Sequence, residues 1–205
     1  MAWGASRIMA RPSRGRGPSM SGAAEPPYVG VVCVGNEYRQ DDGFGPAVAR
    51  YLRECYRFRP GVMVMDRAVA GFDIVPELLD LDAVVLVDAL DGTGAPPGTV
   101  FAFGPQDMAV GGLVASLREV RFADVLAAAR FMGAACAGRC FGVQVADRGS
   151  GALERGLSPV VAAAVPPTAR AVARYLDAEW DARPRRRGEM LGHGADPVGE
   201  AGRFC

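Results

Sequence analysis

Two adjacent carboxylates, Asp41 and Asp42, lie in the stretch Tyr28–Gly45, Y-V-G-V-V-C-V-G-N-E-Y-R-Q-D-D-G-F-G. An apolar run from Val29 to Val34 stops at Gly35-Asn36, and Gly43 and Gly45 follow the acids. Carboxylates in such a loop can ligate a divalent cation or polarise a water, and glycines let another backbone approach closely. A further acid, Asp88, ends a second apolar run, Ala83–Val87. Each acid also has an ordinary use: Asp42 could cap the helix that follows, and Asp88 could make an Asx-turn. Their joint position on strand ends favours site residues. If the two strands are parallel neighbours, Asp42 and Asp88 project from one sheet edge, where open α/β sheets bind ligands.

The elements that position these acids read as alternating strands and helices. Strands are expected at Val29–Val34, Val62–Asp66, Ala83–Val87, Val100–Phe103 and Phe141–Val145. Helices are expected at Pro46–Tyr56, Ile74–Leu81, Phe122–Met132 and Pro159–Leu176, the last interrupted at Pro166-Pro167. Continuous Val, Ile and Leu runs separated by helices indicate a largely parallel sheet covered on both faces.

Several common site types do not fit. A dinucleotide site needs G-x-G-x-x-G straight after the first strand, but one glycine and then acids stand there, and acids would repel a pyrophosphate. The G-x-S-x-G elbow is missing. The single histidine, His193, lies near the C-terminal end, away from any Ser or Cys nucleophile of the expected domain.

Half of the 205 residues are apolar, and the 23 basic residues, all arginine, balance 23 acids. The composition therefore indicates a globular chain and gives no prior for nucleic acid or an anionic surface. No apolar run approaches the roughly 20 residues needed to span a membrane. The five cysteines, Cys33, Cys55, Cys136, Cys140 and Cys205, do not resemble a disulfide framework. Cys33 reads as a small buried hydrophobe, and Cys136 and Cys140 as helically spaced core residues. An odd count without an export signal points to a reducing cytoplasm. Residues 1–27 read as a disordered arm, 28–181 as one domain, and 182–205, with the basic cluster R-P-R-R-R, as a solvated tail.

The ordered set G-N-x4-D-D-G-x-G after the first strand, Ala70-Gly71 after the second and Asp88-Ala89 at the end of the third resembles the hydrogenase maturation endopeptidases. Pro97-Gly98-Thr99, Ala123-Asp124-Val125-Leu126 and Gly156-Leu157-Ser158-Pro159 extend the resemblance over about Tyr28–Leu176. It implies a three-layer α/β sandwich, with a twisted, mostly parallel sheet flanked by helices, of the phosphorylase/hydrolase-like kind. The activity implied is removal of the C-terminal extension from the large-subunit precursor of a nickel–iron hydrogenase. In such enzymes the nickel belongs to the precursor and no cofactor is permanently bound. Two acids and a histidine recognise that nickel, and the acids here would be Asp42 and Asp88.

The resemblance also assigns substrate-facing positions: Asn36, Asp41, Gly43, Ala70, Gly71, Arg118 and Glu119. The family's histidine stands shortly before the helix carrying A-D-V-L. Aligned on Ala123–Leu126, that place holds Arg118, which stays protonated and cannot ligate nickel, while the adjacent Glu119 offers an oxygen. Three readings follow. The first is the endopeptidase, a cytoplasmic monomer acting on the hydrogenase precursor without nucleic acid or membrane. The second is a binding or chaperone protein on the same scaffold, in which Arg118 pairs with an acidic group. The third is a metallohydrolase with its own ion, disfavoured because two aspartates make an exchangeable site.

Overall fold

The computed structural model describes residues 26–67, 72–104, 114–115, 122–134, 137–146 and 155–186. Strands β1 (Val29–Val34), β3 (Val62–Arg67), β4 (Ala83–Asp91), β5 (Val100–Phe103) and β7 (Ala137–Gln144) form the main sheet in the order β3-β1-β4-β7-β5. Every pairing among β3, β1, β4 and β7 is parallel, and β5 closes the edge antiparallel to β7. Short β6 (Val114–Ala115) pairs antiparallel with the end of β4.

The central strands are buried on both faces, as their unbroken apolar runs require. Alternation sends Val29, Val31 and Cys33 of β1, with Val85 and Val87 of β4, into a core shared with α1 (Phe44–Cys55) and α4 (Pro159–Trp180). The intervening Val32, Val34, Val84 and Leu86 enter a second core with α2 (Val75–Leu79) and α3 (Phe122–Phe131). This is the expected three-layer α/β sandwich with a mostly parallel sheet.

Several expectations need correction. Helix α4 runs unbroken through Pro166 and Pro167. Each proline removes one N–H from the ladder. The carbonyls left over belong to the exposed Ala162 and Ala163, while Val161, Ala164, Val165, Thr168 and Ala169 hold the opposite stripe in the core. Cys140 lies in strand β7, not in a helix, because the β-type run extends back to Ala137. Cys136 lies outside the described residues. Cys33 and Cys140 are free and buried, whereas Cys55 is disulfide-bonded, contrary to the reading of the cysteines. The chain is also ordered past the expected boundary at Asp181. Ala182 is buried, and β8 (Arg185–Arg186) pairs antiparallel with β2 (Tyr56–Arg57). No helix among the described residues is long and apolar enough to cross a membrane.

Candidate active site

Strand β1 leads on one side to β3, and the chain then returns across β1 to β4 on the other side. The carboxyl ends of β1 and β4 therefore flank the point where the winding reverses, and a crevice opens there by topology alone. The register pairs Cys33 with Val87, which brings Asp88 level with the end of β1. Asp88 alternates onto the face of β4 that carries Val84 and Leu86, towards α2 and α3. It is 6% exposed, and its Oδ1 accepts the N–H of Ala89 at 2.8 Å.

Asp42 reaches the same edge through the loop after β1. The tight helical turn Gln40–Gly43 that carries it lies against β4. Its Oδ2 and its carbonyl both accept the N–H of Asn36, each at 3.1 Å. Asn36 Oδ1 accepts the N–H of Tyr38 at 3.0 Å, so the asparagine folds the loop from within. Asp42 does not cap α1: the N-cap is Gly43, and no side chain bonds there. The condition set by the sequence is met, because the two strands are parallel neighbours and their acids share one edge.

The glycines serve the chain's own packing. A Cβ on Gly35 would stand 2.0 Å from the Asp42 carbonyl oxygen, and one on Gly45 would stand 2.1 Å from that of Val34. The turn and the first residues of α1 can fold back on β1 only without those atoms. Gly43, expected to face substrate, is buried, with the Glu37 backbone 3.1 Å from where its Cβ would be.

Asp41, also expected to face substrate, is fully buried. Its Oδ1 accepts the N–H of Ser158 at 2.7 Å, and its Oδ2 accepts the Ala146 N–H at 2.9 Å and the Ser158 hydroxyl at 3.0 Å. The carboxylate pins the loop to the end of β7 and the start of α4. It sits where a substrate cannot touch it. The neighbouring acids thus part company: Asp41 anchors, and Asp42 remains at the crevice.

A hydrogenase maturation protease family model matches residues 46–175. The chain belongs to the hydrogenase maturation protease family. The matched range includes Asp88 and begins just after the acidic loop. The hydrogenase expression/formation proteins HupM of Azotobacter chroococcum mcd 1 and HoxM of Azotobacter vinelandii are each 34% identical over 110 residues. That alignment takes in 53% of this chain and 52% of HupM, so the chain spans about half the length of these curated relatives. Among solved structures, the Escherichia coli hydrogenase-maturating endopeptidase HybD superposes with a TM-score of 0.68 at 23% identity, over 79% of this chain and 99% of HybD. The maturation protease HycI of Thermococcus kodakarensis KOD1 gives 0.60 at 22%, over 74% and 94%. At these identities the likeness shows the fold.

In this member of the hydrogenase maturation protease family, Ala70, Gly71, Arg118 and Glu119 lie outside the described residues. In sequence, Arg118 and Glu119 follow Ala115, the residue of β6 that pairs with Leu90, two positions beyond Asp88. No three His, Cys, Asp or Glu among the described residues come together as a metal-ligand set. Cys33 is the titratable group of β1 beneath the crevice. Burial first, then the nearby Asp66 carboxylate, push its thiol well above the ordinary range, so it stays protonated and unreactive.

Sequence reasoning missed two groups that brace the loops at this edge of the sheet. The buried Gln144 accepts the Thr93 N–H at 3.0 Å on its Oε1 and donates to the Val145 carbonyl at 3.0 Å, which fixes the turn after β4. Ser158 was read only as part of a G-L-S-P string; its hydroxyl donates to Asp41 instead of capping α4. The Thr93–Gln144 and Asp41–Ser158 partnerships leave no local signal, since those residues lie 51 and 117 positions apart in sequence.

Proposed function

We propose that this chain is an endopeptidase of the aspartic, metal-recognising kind that removes the C-terminal extension of a nickel–iron hydrogenase large-subunit precursor after nickel insertion. The observation that supports the reading is that β1 and β4 are parallel neighbours at the point where the winding reverses, with Asp88 near the carboxyl end of β4 and Asp42 in the loop after β1. Hard carboxylate oxygens there suit a cation presented by the substrate. The nickel is part of the substrate. With the precursor seated, Asp42 and Asp88 contact its metal, and the ion or a carboxylate-held water assists attack on the neighbouring amide.

In sequence, Arg118 and Glu119 follow Ala115 of β6 by three and four positions, and they are the candidates for the third contact. Glu119 is the residue of that pair able to offer an oxygen to the metal, and Arg118 is suited to a substrate carboxylate or carbonyl. The reading keeps the expectations of a cytoplasmic monomer with no resident cofactor.

The test is to mix the purified chain with nickel-loaded precursor and read the large subunit's C-terminal mass. Loss of the extension is expected. Stable retention of an uncleaved precursor by well-folded protein would overturn the protease reading in favour of a binding protein on this scaffold.

A further inference from the structure

A cavity of about 260 Å³ opens beside the acidic loop, and its lining includes Gln40, Gly43, Arg50, Arg155 and Leu157. Gln40 and Gly43 bracket Asp42 in the helical turn, so this cleft borders the turn that carries that acid. From there it follows one face of α1 to Arg50, an exposed guanidinium with no hydrogen bond or ion pair to any described residue.

Arg155 forms the opposite wall and is held in place. Its guanidinium lies over the Tyr38 ring, 4.2 Å from the centroid, and its Nη2 donates to the Tyr38 hydroxyl and, at 3.3 Å, to Glu37 Oε1. Both of these bonds use Nη2. The Nε–H and Nη1–H groups have no acceptor among the described residues, so Arg155 keeps donors available while the ring contact and the Nη2 bonds hold its plane. Glu37 is the acid in the lining and is committed to Arg155, which leaves the charge of Arg50 uncompensated. Two guanidiniums lining one cleft, one of them held in plane, suit a carboxylate, which accepts from both.

Resting on the protease reading above, we propose that this cleft is a specificity subsite that takes a carboxylate of the precursor's extension, with Arg50 and Arg155 as its ligands. Arg50 stands eight positions after Asp42, about 12 Å along a helical path, which equals three or four residues of extended chain. The carboxylate therefore lies about that many residues from the cut. It comes either from the extension's terminal α-carboxylate or from an acidic side chain within it.

The experiment uses the peptide of the cognate extension in three forms: free acid, C-terminal amide, and a form with its acidic side chains replaced by their amides. Binding to the parental chain is read by fluorescence anisotropy. Arg50→Gln and Arg155→Gln should each weaken the free acid about tenfold, while Arg185→Gln on distant β8 changes nothing. Loss with the amide identifies the terminal carboxylate; loss with the side-chain form identifies an acidic residue. On the whole precursor, Arg50→Gln should raise KM about tenfold and change kcat less than twofold. Equal binding of all three forms, or parental binding and KM in both arginine variants, would overturn the subsite. Failure of the parental chain to cleave precursor would overturn the protease reading instead, and the peptide measurements would still decide the cleft.

Discussion

The two ends of the sheet use their charged groups differently. At the amino end of the strands, Arg59 donates to the carbonyls of Pro27, Pro60, Trp180 and Asp181, and Asp82 accepts the Tyr28 N–H. Those groups lace together the entry to β1, the β2–β3 turn and the end of α4. At the carboxyl end, Asp41 does the same work with Ala146 and Ser158. Among the described residues, Asp42 and Asp88 take N–H bonds from Asn36 and Ala89, close by in sequence. The contrast separates scaffold from site more sharply than residue type does, since two adjacent aspartates fall on opposite sides of it.

The strongest way to break that contrast is Asp88→Asn. The amide retains an oxygen for the Ala89 N–H, so the fold should persist, while processing should fall about 10²–10⁴-fold. Asp42→Asn should behave alike. Parental turnover from either variant in the C-terminal mass assay would remove that acid from the site.

Asp41→Ala should do the converse and act on stability. It strips a buried carboxylate from three donors and should cost about 3 kcal/mol, seen as a lower urea midpoint with an unchanged slope. A parental midpoint would show that the acid is no anchor. Gly45→Ala sharpens the same boundary from the backbone side. Its Cβ would collide with Val34, and the expected loss is about 2–3 kcal/mol by the same measurement.

The smallest effect concerns Cys33. A thiol sealed beneath the crevice and kept protonated should resist iodoacetamide at pH 8 in the native protein and react on unfolding, as read by peptide mass. Rapid native labelling would mean that the crevice is open down to β1.

The sheet was legible because its strands are buried on both faces. Val29–Val34 and Ala83–Val87 announce themselves as apolar runs, and their ends mark Asp42 and Asp88. What local pattern could not supply was any role set by a distant partner. The fate of Asp41 depends on Ala146 and Ser158, more than 100 positions away. The continuity of α4 depends on a core stripe strong enough to carry two prolines, and the order of Arg185–Arg186 on a two-residue partner, Tyr56–Arg57. The Arg50–Arg155 cleft is likewise a product of packing, visible only once Gly156-Leu157 lies along α1.

The most direct test of the central claim compares nickel-loaded with nickel-free precursor, side by side, under the parental chain. If Asp42 and Asp88 act by engaging the substrate's metal, only the loaded form loses its extension. Equal cleavage of both forms would contradict that role for the two acids.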